Sequence, residues 1–190
     1  MMNAQTTNDK QRILVAYASG SGSTGEVAAA IVKTLCQMGE CAEVKKIQDI
    51  TTLDNYAAVI LGSPIRYDRW MPEATNFVQA NQHILKEIPV AYFFTCLTLA
   101  KRNAKTEQKA MVYAQKLSML ATEVSPITIG RFGGVLNFSK LPFYFRPAFK
   151  GLSLVTGLNE GDYRDWNEIG QWAEEVYSKL TKKNNLKIHT

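Results

Sequence analysis

Two histidines and three cysteines are all that the 190-residue chain offers a metal ion or a disulfide framework. His83 and His189 lie far apart, and Cys36, Cys41 and Cys96 form no C-x-x-C pair. Zinc-site and disulfide-scaffold readings both fail on these counts, and no metal is expected. The three cysteines read instead as small buried thiols of a reducing cytoplasm. Long hydrophobic runs are also missing: stretches such as VAYFFTCLTLA from Val90 fall well short of the roughly 18 apolar residues that suggest a membrane span. Residues 1–11, MMNAQTTNDKQ, carry no apolar stretch of the secretory kind, so they are expected to form a tail and the protein to be cytoplasmic.

Acidic residues are absent from Val124 to Asn159, where Arg131, Lys140, Arg146 and Lys150 alternate with Phe132, Phe138, Phe143, Tyr144, Phe145 and Phe149. The whole chain carries a formal net charge of +5. Both features favour an anionic partner. For residues 131–155 one expectation is peripheral contact with the inner face of the cytoplasmic membrane, through cationic and aromatic side chains together. The other is that the aromatic rings cover the sheet edge and enter the domain's own core. A nucleic-acid partner is not expected, because it leaves the glycine and hydroxyl loop described below without a purpose.

Periodicity supplies the architecture. Apolar runs at Arg12–Ala18, Cys41–Ile47, Ala57–Gly62, Val90–Leu97 and Ile127–Leu136 predict five strands. Between and after them, helices are predicted from Ser23 to Gly39, from Pro72 to just before Pro89, from Thr106 to Thr122 and from Trp166 to Leu180. Alternating strands and helices imply an α/β domain with a parallel sheet covered on both faces, whose ligand site lies beyond the carboxyl ends of the strands. The domain is expected over residues 12–183, with an insertion at about 136–163 and a tail at 184–190.

The first strand runs into Ser19, Gly20, Ser21, Gly22, Ser23 and Thr24, four hydroxyls in six residues before a helix. A helix N-terminus with hydroxyl donors and backbone N–H groups suits a terminal phosphate, which presents three oxygens at once. Gly20, Gly22 and Gly25 also match G-x-G-x-x-G, the dinucleotide turn, but the second strand ends VKKI without the acid that such a turn expects, Asp49 lying two residues beyond. A plain Ser/Gly turn with Ser23 capping the helix is the third reading.

This loop resembles the phosphate loop of the flavodoxin superfamily, and Gly62-Ser-Pro-Ile-Arg-Tyr67, Asp165-Trp166 and the basic, aromatic insertion resemble its menaquinone-dependent protoporphyrinogen oxidase branch. The similarity runs from about Ile13 to Leu180. It implies a flavodoxin-like three-layer sandwich with strand order 2-1-3-4-5 and FMN as cofactor. Carried over by position, it implies that Ser19, Gly20, Ser21, Gly22, Ser23 and Thr24 hold the phosphate. Ser63, Pro64, Ile65, Arg66 and Tyr67 would lie on one side of the isoalloxazine, and Cys96, Leu97, Thr98 and Leu99 on the other. Arg66 and Tyr67 are the candidate catalytic residues, Tyr67 stacking on or flanking the ring and Arg66 steadying a reduced flavin or an acidic substrate. Trp70 and Met71 either wall the pocket or pack the start of a helix. The implied partners are a reduced tetrapyrrole and a quinone, or a redox partner protein. An electron carrier and an NAD(P)H-dependent quinone reductase are the alternatives within the fold. The Ser/Gly-only first loop departs from the branch, whose first loop carries charged or larger polar residues.

Overall fold

Arg12–Tyr17 forms the first strand, β1, at the middle of the sheet because its side chains are apolar on both sides. Leu14 and Ala16 enter one core and Ile13 and Val15 the other, as the two-residue period of a strand requires. The computed structural model describes residues 12–137, 139 and 159–188, with backbone alone for 183–188. The expected insertion lies mostly outside these residues.

Cys41–Lys46 (β2), Tyr56–Arg66 (β3), Val90–Cys96 (β5) and Ile129–Gly133 (β6) complete a parallel sheet in the order β2-β1-β3-β5-β6. Counted as principal strands, this is the expected 2-1-3-4-5 order. The additional strand is β4, Arg69–Trp70, which turns back antiparallel onto the end of β3. One face is covered by Ser23–Gln37 (α1) and Trp166–Ile188 (α5); the other by Pro72–Ala80 (α2), Gln82–Leu85 (α3) and Ala104–Ser118 (α4). Val27, Ile31 and Leu35 of α1 and Ile169, Trp172, Ala173, Val176 and Leu180 of α5 are all buried, which is the stripe that their spacing predicts.

Several boundaries differ from expectation, each for a local reason. The helix expected to run unbroken from Pro72 is interrupted at Asn81, whose Nδ2 donates to the Phe77 carbonyl at 2.8 Å while its own carbonyl accepts from Ile84 and Leu85. Helix α4 begins two residues early because Asn103 Oδ1 accepts from the N–H groups of Lys105 and Thr106, and Thr106 Oγ1 accepts in return from the Asn103 N–H. Asp165 Oδ1 likewise caps α5 through the N–H groups of Asn167 and Glu168. That helix continues to Ile188 rather than ending near Leu180. The fifth principal strand stops at Gly133, where a Cβ would collide with the Tyr163 carbonyl. Val135–Leu136 (β7) then pairs antiparallel with Gly161–Asp162 (β8), so the chain leaves for its insertion and returns side by side. The thiols also differ from the uniform burial expected: Cys96 is buried, but Cys36 and Cys41 are exposed.

Candidate functional site

Three connections meet at the carboxyl edge of the sheet, after β1, β3 and β5. The first is the hydroxyl loop. Gly22 takes φ +94°, a left-handed conformation that glycine adopts without penalty, and its N–H donates to Ser19 Oγ at 2.9 Å. This fold-back leaves the Ser19 hydroxyl hydrogen available. Ser23 and Thr24 follow as the first residues of α1, where N–H groups have no acceptor within the helix. Ser21 Oγ and Ser23 Oγ lie 3.4 Å apart, on the same side of the turn. Thr24 differs from the other hydroxyl residues: it is fully buried and its side chain pairs with Thr95 Oγ1 at 3.2 Å, so it offers the loop no hydroxyl.

The second connection is a two-residue hairpin between β3 and β4. Tyr67 and Asp68 have φ values of +51° and +60°, the signature of a type I′ turn, here without the Asn-Gly pair that usually supplies it. Two non-glycine residues in this region are strained, and the surroundings must hold them. Asp68 provides the hold: Tyr113 Oη of α4 donates to its Oδ1, and Lys109 Nζ lies 3.1 Å from the same oxygen. These two contacts, the tyrosine hydrogen bond first, keep the Asp68 carboxyl below its ordinary pKa. The turn presents Tyr67 at 94% exposure, its ring directed away from the protein. Arg66 and Arg69 are directly paired across the hairpin, so both side chains leave the same face. The Arg66 guanidinium lies over the first loop: a Cβ on Gly20 would come within 2.7 Å of its Cζ and 2.8 Å of its Nη1.

The third connection is the 3₁₀ turn Leu97–Ala100. Leu97 and Thr98 are half-buried there and face the edge, whereas Leu99 is core. Cys96 is buried, and burial pushes its thiol pKa up, as for an inert packing cysteine.

A family model described as "Flavodoxin domain" matches residues 14–159. The chain belongs to the flavodoxin domain family. Among curated proteins, protoporphyrinogen IX dehydrogenase [quinone] of Escherichia coli is 26% identical over 183 residues, covering 93% of this chain and 99% of the relative. A protein of the same name from Leishmania major is 27% identical over 172 residues, covering 86% and 74%. Among solved structures, a flavodoxin from the domain Archaea aligns with a TM-score of 0.54 at 15% identity, covering 90% of this chain and 99% of that one. A mutant flavodoxin from Pseudomonas aeruginosa aligns at 0.55 and 12%, with the same coverage.

Within this flavodoxin domain, some expected site residues turn inward. Ser63 is fully buried; its Oγ accepts from the Met71 N–H at 3.0 Å and donates to the Pro64 carbonyl, which fastens the base of the hairpin. Trp70 packs edge-on against Tyr92 in the core and Met71 packs beside it, so both belong to helix-start packing. Pro64 and Ile65 are half-buried. Ser19, Gly20, Ser21, Gly22, Ser23, Arg66, Tyr67, Leu97 and Thr98 remain at the accessible edge.

One residue beside the flavodoxin loop had no signal in the sequence. Arg164, with only 6% of its side chain exposed, donates through Nη1 to the Ser23 carbonyl at 3.0 Å, and its Nη2 lies 2.8 Å from Glu26. It also chelates Asp162 through Nε and Nη2, and its Cζ lies 4.4 Å from the centre of the Trp166 ring. Glu26 stands in the first turn of α1, where its charge would oppose an anion at the loop. Arg164 offsets part of that charge, since its single cation is shared between Glu26 and Asp162. The same side chain ties the returning end of the insertion to α1. Among the described residues, no group of three metal-ligating side chains is present, and no helix is long and apolar enough to cross a membrane. A polar hollow lined by Arg12, Glu43, Lys45 and Tyr56 opens across β1, between β2 and the connection that leads into β3. Its Glu43, Lys45 and Tyr56 groups satisfy one another there.

Proposed function

We propose that this protein is an FMN-dependent oxidoreductase that withdraws electrons from a reduced tetrapyrrole of the protoporphyrinogen type and delivers them to a quinone. The observation that carries the cofactor part is the carboxyl-edge cradle, with Ser19, Ser21 and Ser23 around Gly20 and Gly22 at the first turn of α1. A phosphate monoester fits this donor set: hydroxyls and the N–H groups that open α1 surround it, and Arg164 offsets part of the charge of the one acid in that turn. The substrate part is supported by the curated relatives, whose printed name is that of a quinone-linked protoporphyrinogen IX dehydrogenase and whose similarity spans nearly the whole chain.

In this reading Ser19, Ser21, Ser23 and the backbone of Gly20–Thr24 hold the phosphate. Tyr67 covers one face of the isoalloxazine, and Leu97 and Thr98 border the other side. Covering about 100 Å² of the Tyr67 ring contributes roughly 2.5 kcal/mol to that fit. Asp68, Tyr113 and Lys109 fix the turn that carries Tyr67 before any ligand arrives, while the ring itself stays free to settle on the flavin. The flavin itself supplies the hydride and electron chemistry; the protein orients it and limits the access of water. Of the expected 131–155 surface, Phe132 is core and Arg131 pairs with Glu107, so it is the cationic, aromatic composition from Phe138 to Lys150 that supports contact with an anionic bilayer, where quinones dissolve.

The test is to load the protein with FMN, confirm a bound-flavin spectrum, and follow porphyrin fluorescence anaerobically with protoporphyrinogen IX, with and without a menaquinone analogue. Quinone-dependent porphyrin formation is expected. Bound flavin without porphyrin overturns the substrate assignment; rapid reduction by a nicotinamide then identifies a quinone reductase, and an accumulating one-electron state identifies a carrier. Ser21→Asp is expected to repel the phosphate, and unchanged FMN affinity would remove the loop assignment.

A further inference from the structure

We propose that Arg66 is a cationic clamp on the phosphate of the cofactor rather than a group directed at the isoalloxazine or the substrate; this rests on the FMN reading above. Its guanidinium lies over Gly20, where a Cβ would collide with Nη2 and push the exposed side chain aside. Gly20 does not have a positive φ, so backbone freedom does not explain the glycine. A bare position 20 leaves the guanidinium its place over the loop.

Three further features agree. Arg66 and Arg69 face each other across the hairpin, an arrangement of like charges that costs stability unless an anion lies nearby. Among the described residues no carboxylate pairs with either of them, because the hairpin's own acid, Asp68, is engaged by Lys109 and Tyr113. That engagement also holds the strained turn that aims Arg66 at the loop. The other arginine beside the loop cannot serve: Nε, Nη1 and Nη2 of Arg164 already contact Asp162, the Ser23 carbonyl and Glu26. The loop contributes neutral donors, and Arg66 adds the full positive charge that a phosphate monoester selects and riboflavin, lacking phosphate, does not. A planar guanidinium donating two hydrogen bonds to neighbouring phosphate oxygens also fixes the hairpin relative to the loop, so cofactor binding and the placement of Tyr67 become one event.

The test compares FMN with riboflavin. Apoprotein is titrated with each flavin, following the quenching of flavin fluorescence, for the wild type, Arg66→Ala, Arg66→Lys and Gly20→Ala. Charge-assisted hydrogen bonds lost on truncation weaken FMN binding by about 10- to 100-fold. Riboflavin affinity is expected to stay within about twofold, and Arg66→Lys to recover part of the loss. Gly20→Ala, which displaces the guanidinium, should weaken FMN in the wild type more than in an Arg66→Ala background. Thermal unfolding of apo Arg66→Ala should match or slightly exceed the wild type, since it removes a like-charge pair. Unchanged FMN affinity in Arg66→Ala, or parallel losses for FMN and riboflavin, would overturn the clamp while leaving the cofactor reading intact. A wild type that binds neither flavin would overturn both.

Discussion

Replacing Gly62 by alanine should be among the most damaging one-carbon changes available in this chain. Gly62 sits in β3 between β1 and β5, and a Cβ there would fall under 3.0 Å from three carbons of the Phe93 ring. The ring has no solvent exposure and nowhere to withdraw, because Phe132 and Trp172 stand at centroid separations of 6.2 and 6.1 Å. Moving the backbone instead would disturb the Gly62 carbonyl, which accepts from the Ala18 N–H at 2.9 Å at the entrance to the hydroxyl loop. Overpacking of a tight core costs about 1–3 kcal/mol, and with both escapes closed the upper end, about 3 kcal/mol, is expected. For a domain of this size that corresponds to a fall of about 6–12 °C in Tm. Urea unfolding gives the free energy, and a double-mutant cycle tests its origin. Phe93→Ala alone should cost about 3–5 kcal/mol. In that background the added methyl enters the space left by the ring, giving a favourable coupling of about 2–3 kcal/mol. Additive losses, or a Gly62→Ala variant within about 0.5 kcal/mol of the wild type, would refute the packing argument.

Acidification should release the hairpin before it unfolds the domain. The folded-state pKa of Asp68 is lowered, so its contribution is present above the ordinary value of 3.8 and is lost as pH falls through the lower folded value; Trp70 fluorescence across that range should show an early transition that Asp68→Asn abolishes. Arg164→Ala should destabilise the protein by about 1–3 kcal/mol in urea, most of it from the Ser23 carbonyl bond because Glu26 and Asp162 are partly solvated, and should weaken FMN binding by leaving the charge on Glu26 uncancelled. A stability change within about 0.5 kcal/mol would refute that role. With a chromogenic thiol reagent the native protein should react quickly at Cys36 and Cys41, and at Cys96 only after unfolding; a fast third thiol would contradict the burial of Cys96.

Strands, helices and helix faces were legible because they rest on periodicity, which local sequence carries directly, whereas the strand order came from the family resemblance of the loops. Val27, Ile31 and Leu35, or Ile169 through Leu180, advertise the side they bury. The hairpin was not legible. Ile-Arg-Tyr-Asp-Arg holds no glycine or asparagine, and its turn is stabilised by Tyr113, 45 residues away. Arg164 escaped notice for the same reason, since it reaches a carbonyl 141 residues upstream. The hydroxyl loop was recognisable by composition, yet composition could not say that Thr24 and Ser63 point inward while Ser19 and Ser21 do not. Those orientations depend on partners such as Thr95 and the Met71 N–H, supplied by tertiary packing.

The Thr24–Thr95 pair constrains how this sequence can drift over generations. Each hydroxyl satisfies the other between α1 and β5, and neither side chain reaches solvent. A change to valine at one position strands the remaining hydroxyl at a cost of about 1–3 kcal/mol, whereas valine at both is close to neutral. Descendants of this chain should therefore show two threonines or two apolar residues at these positions and rarely one of each, a correlated signature readable from an alignment without any structure.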